Sequence, residues 1–280
     1  MTKLKPYWLD LTEFPEASEQ QVLPQEIDIL IVGAGLTGLS AARTAAKAGR
    51  AVLVVDQHAP GFGASSRNGG MLGGGHRLSI AEMTARYGKD LAFKLLQEAH
   101  LDSADFVRRV MAEEAIDCDY EQVGRFRGLW HTHEYETAAR DLEQLQKLLP
   151  IEASLLSQTQ QHQAVASDLY RGGVVYHQHA AINPAKWVFG LHRAAVDHGA
   201  LIQGNTAVLG FEKSMHGHVV KTTRGEVKAN KVLLATNGYT HPQMGALRRR
   251  VFPVPSFIIS TDELGRDRLR QLIPSDMIVV

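Results

Sequence analysis

An α/β fold built on a parallel sheet is what this sequence predicts, from three observations. Between Ile27 and Val55 an apolar run, a glycine turn, an Ala- and Leu-rich helix and a second apolar run follow one another. Further on, Asn183-Pro184 opens another helix, and short apolar runs of strand length come after it. The composition is globular: 280 residues, 44% hydrophobic and 21% charged, enough for one large domain or two modest ones.

The same composition excludes several classes. Thirty Lys+Arg balance thirty Asp+Glu, so no basic excess exists to release counterions from a nucleic acid. No run approaches the roughly 18 apolar residues of a membrane span. The N-terminal MTKLKPYWLDLTEFPEASEQ has no apolar h-region and carries acids where one would lie, so it does not read as a signal peptide. The single cysteine, Cys118, rules out an intrachain disulfide framework and fits a reducing compartment. A cytoplasmic protein is expected.

Taken in order, residues 1–25 read as a polar arm pinned by Tyr7 and Trp8. Ile27–Val32 is a strand-length apolar run closed by Gly33, Leu36–Lys47 is a helix with Gly49 as its C′ residue, and Ala51–Val55 is a second strand ended by Asp56. Strand, turn, helix and strand form a βαβ unit, which demands a parallel sheet. From Gly61 to Gly75 lie seven of the 25 glycines, in GFGASSRNGGMLGGG, where extended chain is expected. Ser79 to Ile116 is strongly helical, Glu121–Thr132 reads as a strand, and Glu134–Leu149 is an amphipathic helix stopped by Pro150. Asn183-Pro184 supplies an N-cap and a first-turn proline for a helix ending at Gly199. Strands follow at Ala207–Phe211, His218–Thr223 and Lys231–Ala235; Val251–Thr261 alternates like a half-buried strand before a helix near Asp262–Leu272. The expected division is an arm (1–25), a nucleotide-binding domain in two segments (26–78 and 151–245), and a substrate domain in two segments (79–150 and 246–280).

Gly33-Ala34-Gly35-Leu36-Thr37-Gly38 is a GxGxxG between a strand and a helix. Gly33 permits the tight turn, Gly35 lets backbone approach a pyrophosphate, and Gly38 allows close packing of helix on strand. The helix start offers free N–H groups and a positive dipole end to phosphate. Asp56, 18 residues after Gly38, ends the second strand, where a carboxylate accepts hydrogen bonds from a ribose diol and repels a 2′-phosphate. A lone GxGxxG would be a weak signal; strand, helix, strand and acid together make it a dinucleotide site. FAD and NAD share the same ADP half, so the fingerprint does not choose between them. The 61–75 segment does: glycines with Ser65, Ser66, Arg67 and Asn68 suit backbone lying along a longer ligand, with hydroxyls and a guanidinium for phosphate. That favours FAD. An NAD-dependent dehydrogenase is the weaker alternative.

GAGLTG…VVD, GASSRNGG, INPAKWVFGLHRAA and VLLATNGYT together resemble the D-amino-acid-oxidase-like family of FAD-dependent oxidoreductases. The N-terminal PYW with RNGG and ATNGYT looks most like its branch of gamma-glutamylputrescine oxidoreductases. The resemblance runs from Tyr7 onward. It implies an FAD/NAD(P)-binding Rossmann-like domain of the glutathione-reductase type with an interleaved α+β substrate domain, truncated at the C-terminus. It implies that Gly33, Gly35, Gly38 and Asp56 hold the ADP part, with Leu36 and Thr37 at the helix start. Ser65, Ser66, Arg67, Asn68 and Gly69 would line the pyrophosphate and flavin, with Gly70 and Met71 near the ring. Val208 matches the position facing adenine, and Ala235, Thr236, Asn237 and Gly238 the loop returning to the cofactor. The implied activity is oxidation of a primary or secondary amine, by hydride transfer to flavin N5 and hydrolysis of the imine. Oxygen or another electron acceptor reoxidises the flavin. Gamma-glutamylputrescine leads as substrate, with sarcosine, glycine or another amino acid behind. Because family members run further than MIVV, a truncated, inactive flavoprotein fragment is the alternative.

No catalytic base is evident. His76 and Arg77 follow the glycine segment and either face the ring's substrate side or form a polar pair at a helix start. Arg125 and Arg127 share one face of a predicted strand, which reads as a solvated face, with carboxylate binding as the alternative. The pairs His131/His133, His177/His179 and His216/His218 lack the cysteine or acid that would complete a metal set and read as dispersed surface histidines. Cys118 lies between Asp117 and Asp119, which disfavour a thiolate, and reads as structural. Arg248-Arg249-Arg250 reads as a solvated approach to the Val251 strand.

Overall fold

The computed structural model describes residues 4–12, 22–241 and 244–280; the remainder of the N-terminal arm lies outside the described residues. The chain divides into two compact units. The first comprises Met1–Gly69, Ile116–Cys118 and Asn183–Ile259, and the second Gly70–Ala115, Asp119–Ile182 and Ser260–Val280.

The helix α1 (Tyr7–Leu11) is short and buries Leu9. Strands β1 (Glu26–Val32) and β2 (Val52–Val55) flank α2 (Leu36–Lys47), as the apolar pattern predicts. All of β2 and the last three residues of β1 are buried, which is why these runs read as continuously apolar. The glycine segment departs from the extended chain expected of it. It turns, forms a 3-10 turn at Ala64–Ser66, and is a strand only at β3 (Met71–Leu72). The helical stretch after it is broken at Gly88, whose φ is +80°. The pieces are α3 (Ile80–Tyr87), α4 (Lys89–Gln97) and α5 (Ser103–Glu113), the last two joined by a π-helical turn. Ser79 caps α3: its hydroxyl accepts the Glu82 N–H at 3.3 Å, while its own N–H donates to the Glu82 carboxylate at 2.8 Å.

β4 (Arg125–Gly128) is shorter than the 121–132 strand expected. α6 (Thr132–Leu148) follows, its start held by the Glu134 carboxylate, which accepts the N–H groups of Trp130 and His131. Then come β5 (Ala153–Ser157), β6 (Gly172–Tyr176) and β7 (Ala180–Ala181). Asn183 caps α7 (Pro184–Asp197) by accepting from the N–H groups of Ala185 and Lys186. The rest of the chain supplies β8 (Leu201–Gln203), β9 (Val208–Ser214), β10 (Gly217–Thr222), β11 (Gly225–Leu234), α8 (Gly245–Arg248), α9 (Arg266–Leu272) and β12 (Ile278–Val279).

In the first unit six strands run in the order β8-β2-β1-β11-β10-β9. The first four are parallel, and β10 and β9 complete an antiparallel meander with β11. Val32 is in register with Val55 on one side and Leu234 on the other. The residues that come next, Gly33, Asp56 and Ala235, therefore leave the sheet together at its carboxyl edge, where ligands of open α/β sheets bind. Leu30, Leu53, Val220 and Val227 form the core on one face, and α2 packs against α7.

The second unit has a four-stranded sheet, β12-β4-β6-β5. One side packs Met83, Leu96, Leu142, Leu145 and Val174 into a core; Phe126, Ala164 and Val175 form another. β3 and β7 make a separate antiparallel ribbon.

Two expectations about organisation change. Residues 151–182 supply β5, β6 and β7 to the second unit rather than a segment of the first, the boundary at 78 moves back to Gly69, and the one at 245 moves on to Ile259, so that the last segment of the second unit is Ser260–Val280. The alternation of Val251–Thr261 is not a strand: it pairs with none of the described strands, and Phe252 and Phe257 are each 88% exposed. Pro253 and Pro255 remove two of its ladder donors. Arg248-Arg249-Arg250 accordingly ends a short helix and leads into no strand.

Candidate functional site

A cleft opens in the first unit at the carboxyl edge of its sheet. Its walls include Gly33, Ala34 and Gly35 from the turn after β1, Asp56 after β2, Ser65 from the glycine segment, Val208 at the start of β9, and Ala235–Asn237 after β11. The turn is as tight as backbone permits. Gly33 has φ +108°, and a Cβ there would sit 2.6 Å from the carbonyl oxygen of Ala235. A Cβ on Gly38 would run into the Gly33 carbonyl, and one on Gly35 would lie 2.7 Å from Ser65 Oγ. Backbone thus demands glycine at 33 and 38, whereas at 35 the neighbour is the Ser65 side chain.

Asp56 is held by backbone. Its Oδ2 accepts the Ala34 N–H at 2.8 Å and its Oδ1 the His58 N–H at 2.9 Å. Each oxygen keeps a lone pair. The Leu36 N–H at the start of α2 donates to Ser65 Oγ at 3.0 Å, which ties the glycine segment to the fingerprint.

Of the expected cofactor residues, Gly33, Gly35, Asp56, Ser65, Val208, Ala235, Thr236 and Asn237 line this cleft. Leu36, Thr37 and Gly38 are not in the lining; they form the first turn of α2 behind it. Ser66 is buried and donates to the Gly61 carbonyl, so its hydroxyl is committed to the fold of the loop. Arg67 does not line the cleft; its guanidinium lies 4.2 Å from the Phe62 ring centroid, and its buried Nε has no hydrogen-bond partner. Asn68 donates to the Ser65 carbonyl at 2.8 Å and, like Gly69 and Gly238, stands outside the lining. Gly70 and Met71 belong to the second unit. Sequence reasoning missed Phe62, Tyr239, His241 and Met244 in the lining. Tyr239 was detectable as the aromatic of ATNGYT; a Cβ on Gly63 would lie 3.3 Å from its ring.

The second unit has its own cavity, about 1040 Å3, and here the structure joins residues that the sequence left separate. His76, Arg77, Arg125 and Arg127 all line it, with His100, Tyr176 and Asp141. Arg125 is half-buried, which corrects the solvated face expected for it; Arg127 is exposed. Burial holds the Arg125 pKa below its usual value, with Tyr176 opposing and Arg127 reinforcing the shift. His100 is likewise lowered, by burial and then by the charges of His76 and Arg125. Beside the cavity His179 stacks on Tyr176 with centroids 4.8 Å apart. Burial first, then Arg125 and His100, lower the His179 pKa to about 4. His179 is only 5% exposed, so it is not a surface histidine. Among the described residues, no three His, Cys, Asp or Glu side chains are placed to hold a metal ion. Cys118 is buried.

Residues 28–279 match the family described as "DAO: FAD dependent oxidoreductase". Gamma-glutamylputrescine oxidoreductase of Escherichia coli is 31% identical over 253 residues, covering 90% of this chain and 59% of that protein. The probable oxidoreductase OrdL of Haemophilus influenzae is 29% identical over 270 residues, covering 91% and 60%. The chain thus spans about 60% of the length of the curated relatives it matches. In fold it is similar to L-amino acid deaminase from Proteus vulgaris (TM-score 0.68, 20% identity, 84% of this chain and 53% of that one). It is also similar to glycine oxidase from Geobacillus kaustophilus (TM-score 0.62, 21% identity, 80% and 58%).

Proposed function

The chain belongs to the DAO family of FAD-dependent oxidoreductases, and from that premise we propose that it takes part in oxidising a primary or secondary amine, with FAD as cofactor. One observation carries the reading: the glycine turn, the Asp56 carboxylate and the Val208 and Ala235–Asn237 walls share a single cleft. Gly33 and Gly35 line the cleft with bare backbone, which suits the close approach of a pyrophosphate. The free lone pairs of Asp56 suit a ribose diol, and its charge disfavours a 2′-phosphate. Val208 offers an apolar wall for adenine. These features fit the ADP half of FAD.

Bound FAD would supply the hydride acceptor, at N5, for the carbon next to the amine nitrogen. The chain's own residues bind and orient. Ala34 and His58 fix the Asp56 carboxylate through their N–H groups. The N-terminal end of α2, where Ser65 Oγ already accepts from Leu36, presents a positive dipole to phosphate. Ser66 and Asn68 hold the shape of the glycine segment by bonding to its own carbonyls. His76 and Arg77 stay candidates for work on the amine, and both line the cavity of the second unit.

The similarity to gamma-glutamylputrescine oxidoreductase makes gamma-glutamylputrescine the first substrate to try, ahead of glycine and sarcosine. Oxygen or another acceptor would take the electrons. No helix among the described residues is long and apolar enough to cross a membrane; the cytoplasm is the proposed compartment, from the single cysteine. Titration of the purified chain with FAD tests the reading, through flavin absorbance and quenching of flavin fluorescence. Saturable uptake is expected. A chain that takes up no FAD overturns it, and one that binds NAD tightly instead selects the dehydrogenase. Amine turnover by the chain alone would exclude an inactive fragment.

A further inference from the structure

The cavity of the second unit is unbalanced in charge. Three guanidinium groups line it, Arg77, Arg125 and Arg127, beside the imidazoles of His76 and His100, against one acid, Asp141. The side chains of Arg77, Arg125 and Arg127 make no hydrogen bond or ion pair among the described residues. The Arg125 guanidinium lies over the Tyr176 ring, 5.4 Å from its centroid. Its Nε is buried without a hydrogen-bond partner.

Such an arrangement is costly as it stands. A buried charged donor without an acceptor forfeits its hydration, and like charges gathered in one partly buried place oppose each other. Burial first, and then basic neighbours that include Arg125, lower the pKa values of His100 and His179. One anion in the cavity relieves both costs. Arg125 and Arg127 stand two apart on β4, hence on one face of the strand, roughly 7 Å apart along it. A guanidinium presents the fork that a carboxylate accepts in bidentate fashion. Leu78, Ile80, Leu96, Leu142, Leu145 and Val174 supply the remaining wall, which suits an aliphatic body rather than a bare inorganic ion.

We infer that the second unit carries an anion site, in which Arg125 and Arg127 bind the carboxylate of a small aliphatic acid whose carbon chain lies against the leucine wall. The site stands on its own geometry and needs no flavin. Its test is therefore separate from that of the proposed function.

Calorimetric titration of the full chain, without FAD and at pH 7, uses glutarate as probe and inorganic phosphate as the comparison. Glutarate is expected to bind saturably and at least tenfold more tightly than phosphate. Arg125→Gln and Arg127→Gln are each expected to weaken it about tenfold or more, while FAD uptake stays unchanged. Arg127 is exposed, so its variant keeps the test sound if Arg125→Gln fails to fold. No saturable glutarate binding, equal binding of phosphate, or glutarate binding indifferent to Arg127→Gln would each overturn the site. Glutarate binding by a chain that refuses FAD would keep this inference and remove the flavin reading.

Discussion

The indole Nε1 of Trp8 donates to the backbone carbonyl of Asn68 at 2.8 Å, joining residues 60 positions apart. The Asn68 side chain donates in turn to the Ser65 carbonyl at 2.8 Å, and Ser65 Oγ accepts from the Leu36 N–H at 3.0 Å. An unbroken relay thus runs from the N-terminal arm to the first turn of α2. Trp8→Phe keeps an aromatic ring and removes the donor, at a cost of about 1 kcal/mol for one hydrogen bond. We expect FAD to be held about fivefold less tightly, with the melting temperature lowered by about 2–4 °C. Equal FAD affinity in the variant would show that the relay does not reach the cleft.

Gly33 and Gly49 both have positive φ, +108° and +76°, but only Gly33 has a neighbour in the way. A Cβ there meets the Ala235 carbonyl, whereas nothing lies within 4 Å of one on Gly49. Gly49→Ala is expected to cost about 1 kcal/mol, the backbone term alone. Gly33→Ala adds a clash and is expected to cost at least about 3 kcal/mol and to abolish FAD uptake. Urea unfolding measures both; equal losses would refute the steric account.

Asp56→Asn retains shape but offers one acceptor oxygen where the structure uses two. Either the Ala34 or the His58 N–H is left facing an amide N–H. A loss of about 1–2 kcal/mol in stability is expected, with FAD affinity down about tenfold. Unchanged flavin titration curves would remove Asp56 from the cofactor site.

His179 makes stability depend on pH. Its pKa is lowered to about 4 in the fold, below the 6.5 of an unfolded histidine. Between those values the unfolded chain binds a proton that the folded chain does not. Stability is therefore fully present above pH 6.5, falls as pH drops toward 4, and levels off below that. His100 and His192, also lowered by burial, act in the same sense. His179→Gln should thus shallow the acid limb of melting temperature between pH 7.5 and 4.5 without abolishing it. An unchanged slope would show that the imidazole titrates freely.

The first βαβ unit was legible because its signals agree: apolar runs of strand length, an Ala-rich helix, and glycines at the only places backbone demands them. Asn183-Pro184 was legible for the same reason, since cap and first-turn proline name one boundary. The strands of 151–182 were not. Gly172 and Gly173 both lie in β6, where a Cβ on Gly173 would strike the Phe126 ring. That requirement comes from a residue far away in sequence. Val251–Thr261 failed in the opposite direction: its alternation is real, but alternation makes a strand only where another strand offers a ladder. The cluster at Arg125 was invisible because its members come from the glycine segment, a helical turn and two strands. Only the fold brings them to one wall.

The pairing of β1 with β11 closes a loop of some 200 residues, for Gly33 and Ala235 are 202 positions apart. On a ribosome adding roughly 5–20 residues per second, about 10–40 seconds separate the emergence of the two. During that interval β1 can pair with β2 but has a bare edge where β11 will lie, the kind of edge that recruits other chains. The cleft beside Gly33 and Ala235 is thus completed late although its sequence signature is the first to appear. Anything that slows translation between them lengthens the time in which a half-built sheet must stay alone.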